Sequence, residues 1–240
     1  MSYTRNINEL KNIGYTNIDN LYSEGEINDI TNYIEAFNIA NNYIQTANHL
    51  FTIRQLLKVI PGLKKALSNK NLIQLLNLHF ESNYFLTKAI YFDKPPNSNW
   101  FVPYHQDLSI SVTTKADIDG YSNWTTKKDV YGVQPPVNIL ENTITIRIHL
   151  DDTTKDNGAL KVVPKSHSNG VIRKGSKYWN MDKQDICEFN KGGVMLMKPL
   201  LLHASNRTIN NQRRRVLHLE FNSNELPNPI KWYEYEKFIS

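Results

Sequence analysis

Between Thr143 and Leu150 apolar and polar side chains take strict turns. Ile144, Ile146, Ile148 and Leu150 fall on one side of an extended chain, and Thr145, Arg147 and His149 fall on the other. Period two over this length specifies a strand. The aliphatic side suits packing, and the polar side suits an inner face where a ligand is held. Similar strands recur around it. Tyr84 to Phe92 is aromatic and β-branched, Leu108, Ile110 and Val112 alternate with Ser109 and Ser111, and Arg214 to Phe221 forms a last one. Asn157-Gly158 signals a turn before Ala159–Val163, and Gly192-Gly193 opens a strand running to His203.

Ahead of Tyr84 the period is helical. Ser23 and Glu26 make a capping box, with Tyr22 and Ile27 placed as a hydrophobic staple. Ile27, Ile30, Ile34 and Phe37 then form one stripe. A second helix is expected over Ile53 to Ile60, before Pro61-Gly62, and a third over Leu72, Leu75, Leu76 and His79. Helices first and strands afterwards predict an α+β chain: an antiparallel two-sheet barrel with helices on one outer face. No repeat, low-complexity tract or linker divides the 240 residues. The expectation is one domain over 1–240, with helices over about 1–82 and a barrel over about 83–225.

Hydrophobic content of 40% and charged content of 21% are those of a soluble globular chain. The net charge of +5 is scattered among acidic residues, without the basic-aromatic stripe that stacks bases, so no nucleic-acid partner is expected. The most apolar run of the C-terminal half, Val194 to Leu202, is too short for a bilayer and is broken by Lys198-Pro199. The start of the chain lacks the apolar stretch of a secretory signal, and Cys187 is the single cysteine. These features predict a cytoplasmic protein without a membrane partner, acting on a small molecule as a monomer or homodimer.

Chemistry concentrates in His105-Gln106-Asp107, answered by His203. On an extended segment residues 105 and 107 point the same way. A second histidine from a remote strand completes two imidazoles and one carboxylate. That set suits Fe(II) and leaves coordination positions open for a co-substrate and O2. The usual co-substrate of such a site is 2-oxoglutarate, whose far carboxylate needs a fixed guanidinium. Of Arg213, Arg214 and Arg215, alternation selects Arg214, which shares a face with His218 and Glu220. Arg213 and Arg215 share a face with Leu217, Leu219 and Phe221 and are expected to be solvated. Thr145 and Arg147 stand as further cofactor-binding candidates. For Arg147, pairing with Glu220 across the barrel is an equally open role.

The string Asn99-Trp100-Phe101-Val102-Pro103-Tyr104-His105-Gln106-Asp107 resembles the iron-binding signature of the phytanoyl-coenzyme A dioxygenase family. Leu150-Asp151-Asp152, Asn157-Gly158-Ala159-Leu160, Pro164-Lys165-Ser166-His167 and His203-Ala204-Ser205 followed by Arg214 are similar in order and spacing. The opening, with Gly14-Tyr15 and Leu21, is similar too. The resemblance implies a double-stranded β-helix (jelly-roll, cupin-like) fold, Fe(II), 2-oxoglutarate and O2 as requirements, and hydroxylation of an unactivated C–H bond. It makes His105, Asp107 and His203 the iron ligands and catalytic centre, Arg214 the carboxylate clamp, and Gln106 a cofactor-side residue. Asp107 itself favours hydroxylation, because halogenating relatives carry a small residue there. Tyr104 stands where tryptophan is common. Lys165 stands where glycine usually precedes Ser-His, which affects the placing of His167. The long aromatic segment between Asp107 and Thr143 reads either as a lid over the iron or as an ordinary packed loop. The competing classes are a non-catalytic cupin-type binding barrel and a zinc, nickel or manganese hydrolase or isomerase. Neither needs the arginine.

Overall fold

The computed structural model of the protein describes residues 3–40, 51–127 and 130–238. The N-terminal part runs α1 (Thr4–Ile13), β1 (Tyr15–Ile18), α2 (Glu24–Ala40), β2 (Phe51–Arg54), α3 (Leu56–Val59), α4 (Leu63–Leu67) and α5 (Lys70–Phe80). Then come β3 (Phe85–Lys94), β4 (Val102–His105), β5 (Ile110–Val112), β6 (Ser122–Lys127), β7 (Val130–Gln134), α6 (Val137–Asn142) and β8 (Ile144–His149). The chain closes with β9 (Leu160–Val162), β10 (Asp185–Cys187), β11 (Val194–Met197), β12 (His203–Ser205) and β13 (Arg214–Asn222).

The predicted capping box forms at the start of α2. Ser23 N–H and its hydroxyl donate to Glu26 Oε2 at 2.8 and 2.9 Å, and Glu26 N–H donates back to Ser23 Oγ at 3.3 Å. The stripe Ile27, Ile30 and Ile34 that follows is buried in one cluster with Ile144, Ile146, Ile148, Leu217 and Leu219. Those last five are the aliphatic side of β8 and the odd-numbered side of β13, so the helices cover one face of this sheet. Each such side chain contributes about 2 kcal/mol by leaving water.

Three antiparallel sheets result, with orders β1-β11-β8-β13-β3-β2, β10-β9-β12-β4 and β5-β7-β6. Among the described residues no ladder joins the first two sheets, so the expected two-sheet barrel takes the form of two sheets that do not close. Side chains link them instead. Leu160, Val162 and Cys187 of the smaller sheet pack with Met195 and Met197 of the larger.

Two further expectations are corrected. Over 53–60 the chain is an edge strand followed by one helical turn. Ile53 pairs with Tyr91 of β3, and the ladder outweighs a helical period that Pro61 would have cut short. The run from Gly192 to His203 is two strands, one in each sheet, because the chain turns at Lys198–Leu201, where Leu201 N–H donates to Lys198 O at 2.9 Å. The described residues between Asp107 and Thr143 form β5, β6, β7 and α6. Ile110, Val112, Val133, Ile139 and Leu140 pack with Phe85, Leu200 and Trp232, and Tyr121, Trp124 and Tyr131 lean on this cluster. Among the described residues no helix is long and apolar enough to cross a membrane.

Candidate metal centre

His105 ends β4 and His203 begins β12, and the ladder pairs them directly. Their rings therefore stand side by side, with centroids 4.2 Å apart. Just past β4, Asp107 N–H donates to Pro199 O at 2.9 Å, which holds the carboxylate at the same end of the sheet. His105 Nε2 lies 3.6 Å from Asp107 Oδ1, and His203 Nε2 lies 3.7 Å from Oδ2. Both separations are too long for hydrogen bonds. They suit three ligands facing one cation, since the donor atoms all lie within 4.8 Å of one another.

The backbone decides which ring nitrogen is available. His105 Nδ1 sits 2.9 Å from Pro103 O, and His203 Nδ1 sits 2.9 Å from Leu201 O. A carbonyl only accepts, so each Nδ1 carries the proton and each Nε2 turns its lone pair toward Asp107. Burial lowers the His203 pKa to about 4, so this ring is neutral near pH 7. Burial would raise Asp107, but His203, His218, His105 and Lys88 hold it at about 2. The set thus offers two Nε2 atoms and one ionised carboxylate. Asp107 Oδ2 is buried without a hydrogen-bond partner, which is costly unless a cation sits against it. The residues fit a divalent metal of the Fe(II) type.

The inner face of the large sheet continues the site. Cross-strand pairs Arg214 with Lys94, His218 with Arg147 and Glu220 with Thr145 line it. Arg214 is buried, and its Nε and Nη1 have no partner. Arg147 donates from Nη1 to His218 Nδ1 at 3.1 Å, while its Nε and Thr145 Oγ1 have none. Burial, then repulsion from Arg147, lowers Arg214 to about 9. Burial, then Arg214, lowers Lys94 to about 7. The donors left without acceptors, Arg214 Nε and Nη1 and Arg147 Nε, are what a bound carboxylate satisfies.

Arg147 does not pair with Glu220. Glu220 instead accepts from Lys88 Nζ at 2.8 Å and from His218 Nε2 at 3.0 Å. Arg213 and Arg215, expected in solvent, are tied down. Arg213 makes a two-pronged contact with Asp93 at 2.9 and 2.6 Å. Arg215 does the same with Asp151 at 2.9 and 2.7 Å and reaches Glu35 of α2 at 2.8 Å. The acidic partners lie far off in sequence, so alternation alone could not find them.

Gln106 is also corrected, because its side chain does not join the metal group. Its Nε2 donates to Gly170 O and Leu200 O at 2.8 and 2.6 Å, and its Oε1 accepts from Ile172 N–H at 2.7 Å. Pointing oppositely to its neighbours, it bolts the 170–172 loop to the ligand strand. Gln106→Leu would strand three backbone groups at about 1–3 kcal/mol each. We expect a stability loss of several kcal/mol in urea titration. A loss below about 1 kcal/mol would mean that the bolt is dispensable.

His167 stands apart as well, with its Nε2 3.1 Å from Lys11 O. Lys165 adopts φ 66°, the left-handed turn that glycine would otherwise make. Lys88 and Lys94 escaped the sequence reading. Their signal was parity, since both fall on the inward side of β3; Lys88 lay inside the predicted strand, whereas that strand stopped at Phe92, short of Lys94.

The description of the phytanoyl-CoA dioxygenase (PhyH) family matches residues 10–216. The chain belongs to this family. The PhyH match spans β4, β12 and Arg214, and it places the protein among the Fe(II)/2-oxoglutarate-dependent oxygenases, with Fe(II), 2-oxoglutarate and O2 as the cofactor set. No curated protein sequence matches the chain. Solved structures share the fold at low identity. AviO1 from Streptomyces viridochromogenes Tue57 is 17% identical, with TM-score 0.67 over 94% of this chain and 97% of its own. SnoK, a non-heme alpha-ketoglutarate-dependent carbocyclase from nogalamycin biosynthesis, is 14% identical, with TM-score 0.69 over 94% and 85%. EvdO2 from Micromonospora carbonacea var. aurantiaca, complexed with 2-oxoglutarate, is 14% identical, with TM-score 0.66 over 99% and 96%.

Proposed function

We propose that this protein is a 2-oxoglutarate-dependent dioxygenase that hydroxylates an unactivated C–H bond of a small molecule, releasing succinate and CO2. The whole chain would act as one domain on the double-stranded β-helix plan. One observation carries the reading. Two Nε2 lone pairs and an ionised carboxylate converge at one sheet end, while on the large sheet the buried Arg214 keeps Nε and Nη1 without partners. A binding barrel has no need of both. EvdO2, a protein of similar fold, was solved with 2-oxoglutarate, which supports the assignment.

Each residue has a task. His105, Asp107 and His203 would hold Fe(II), which supplies the activation of O2 coupled to loss of CO2 from the oxo acid. Arg214 would grip the distal carboxylate with two parallel hydrogen bonds, and Thr145 would add its hydroxyl beside it. Arg147 would work from further back. By donating to His218 Nδ1 it fixes the proton on Nε2 and keeps Glu220 an acceptor. The apolar inner contacts around Met195 and Met197 exclude water from this wall.

The test is succinate formation from 2-oxoglutarate by purified protein with Fe(II) and ascorbate in air. We expect slow uncoupled turnover that needs both Fe(II) and O2. Its absence at saturating Fe(II), or hydrolysis supported by zinc instead, would refute the proposal. Once a substrate is found, a mass gain of one oxygen separates hydroxylation from the ring closure that SnoK's description names.

A further inference from the structure

A cleft of about 720 Å³ lies between the β2–β3 edge of the large sheet and the three-stranded sheet. Thr52, Arg54, Lys88, Ser111, Thr125 and Glu234 are on its walls. Hydrogen-bonded side chains connect its wall to the metal centre. Lys88 bonds Glu220, Glu220 bonds His218, and the ligand-type atoms of His218, Glu220 and Asp107 lie within 4.8 Å of one another.

Glu234 is the odd group there. It is 3% exposed, its carboxylate takes a backbone hydrogen bond from Ala89, and Oε2 has no partner. Burial pushes its pKa up to about 7. The nearby cations are engaged elsewhere. Lys58 Nζ donates to Tyr233 O at 2.7 Å, and Lys88 Nζ donates to Glu220 and to Ser109 O. A buried acceptor in that position costs free energy until a donor reaches it. The donor is not a cation, because with Lys88 paired to Glu220 the cleft still carries Arg54 and Lys127 against Glu234, and these repel an ammonium. The hydroxyls of Thr52, Ser111 and Thr125 offer it company. Glu234 also lies beyond residue 216, where the family match ends, on a tail laced to β5 through Tyr233 N–H to Ser111 O at 2.9 Å. It is a feature of this chain beyond the matched stretch.

We propose that this cleft is the substrate site and takes a hydroxyl-rich, sugar-like or polyol small molecule, with Glu234 Oε2 accepting a hydrogen bond from one of its hydroxyls. The inference rests on the oxygenase reading above, and Glu234 is here a specificity residue.

The test loads the protein with Mn(II) and 2-oxoglutarate and measures paramagnetic broadening of proton signals from methyl α-D-glucopyranoside and xylitol, with tert-butyl methyl ether as the uncharged apolar control. We expect broadening of the hydroxylated probes, weakened tenfold or more in Glu234→Ala, weakened in the isosteric Glu234→Gln, and unchanged in the surface variant Arg5→Ala. If the alanine variant does not fold, the glutamine variant decides. No broadening with wild type, stronger broadening of the apolar probe, or indifference to both Glu234 substitutions overturns the proposal. Uncoupled succinate formation by wild type separates the two failures. If succinate forms and the probes ignore Glu234, only the cleft assignment falls. If neither Mn(II) uptake nor succinate is seen, both fall.

Discussion

Asp107→Ala should reduce Fe(II)-dependent conversion of 2-oxoglutarate to the level of metal-free protein and leave the fold intact. The carboxylate supplies the negative charge of the set and faces both Nε2 atoms, at 3.6 and 3.7 Å. Two imidazoles alone hold Fe(II) poorly, because the metal then loses its charged ligand. The backbone of Asp107 is tied to Pro199 through N–H, and alanine keeps that bond. The neighbours of Asp107 hold its carboxyl at about 2, below its usual value, so the fold favours the ionised form; the metal-free variant should melt at or below the wild-type temperature, and Fe(II) should no longer raise it. Retained turnover in Asp107→Ala would remove the residue from the metal set.

Arg214→Met should have opposite effects on stability and on co-substrate affinity. Two of the guanidinium nitrogens are buried without acceptors, and Arg147 pushes against the charge. Methionine removes that uncompensated charge while filling similar space, so the protein without 2-oxoglutarate should gain on the order of 1 kcal/mol or more. With the co-substrate the sign reverses. Losing one partner of a buried charge pair costs about 2–5 kcal/mol, so the 2-oxoglutarate requirement should rise roughly thirtyfold to several thousandfold. Arg214→Lys should recover only part of this, since an ammonium cannot give the two parallel hydrogen bonds. Thermal melts with and without 2-oxoglutarate, beside a succinate titration, read both effects. An unchanged requirement would transfer the clamp to another cation of the wall.

Strand period and chain spacing made much of this site legible. The alternation of β8 marked the inner face, and the i, i+2 step put two metal-ligand candidates on one side. Arg214 followed from parity, because its neighbours on either side share the face of Leu217 and Leu219. Long-range partners did not follow. Asp93, Asp151 and Glu35, which hold Arg213 and Arg215, and the backbone atoms that occupy Gln106 come from segments whose approach depends on the whole fold. The error at 53–60 has a related cause. Apolar residues at Ile53, Leu56, Leu57 and Ile60 satisfy a helical stripe, and only the pairing of Ile53 with Tyr91 makes the first of them a strand residue. The open pair of sheets was beyond reach for the same reason, since alternation tells which way a side chain points but not which ladders complete.

Three successive guanidiniums at the start of β13 also act as a guard against mispairing. Sliding this strand by one step would turn Arg213 or Arg215 away from its acidic clasp into the dry interior, and would leave Leu217 and Leu219 facing the polar chamber. The penalties would arrive together, so neighbouring alignments lie far uphill and the strand locks into a single one. Insertions before Arg213 should thus be absorbed by the loop, whereas one residue added between Arg215 and Leu219 should scramble the interior.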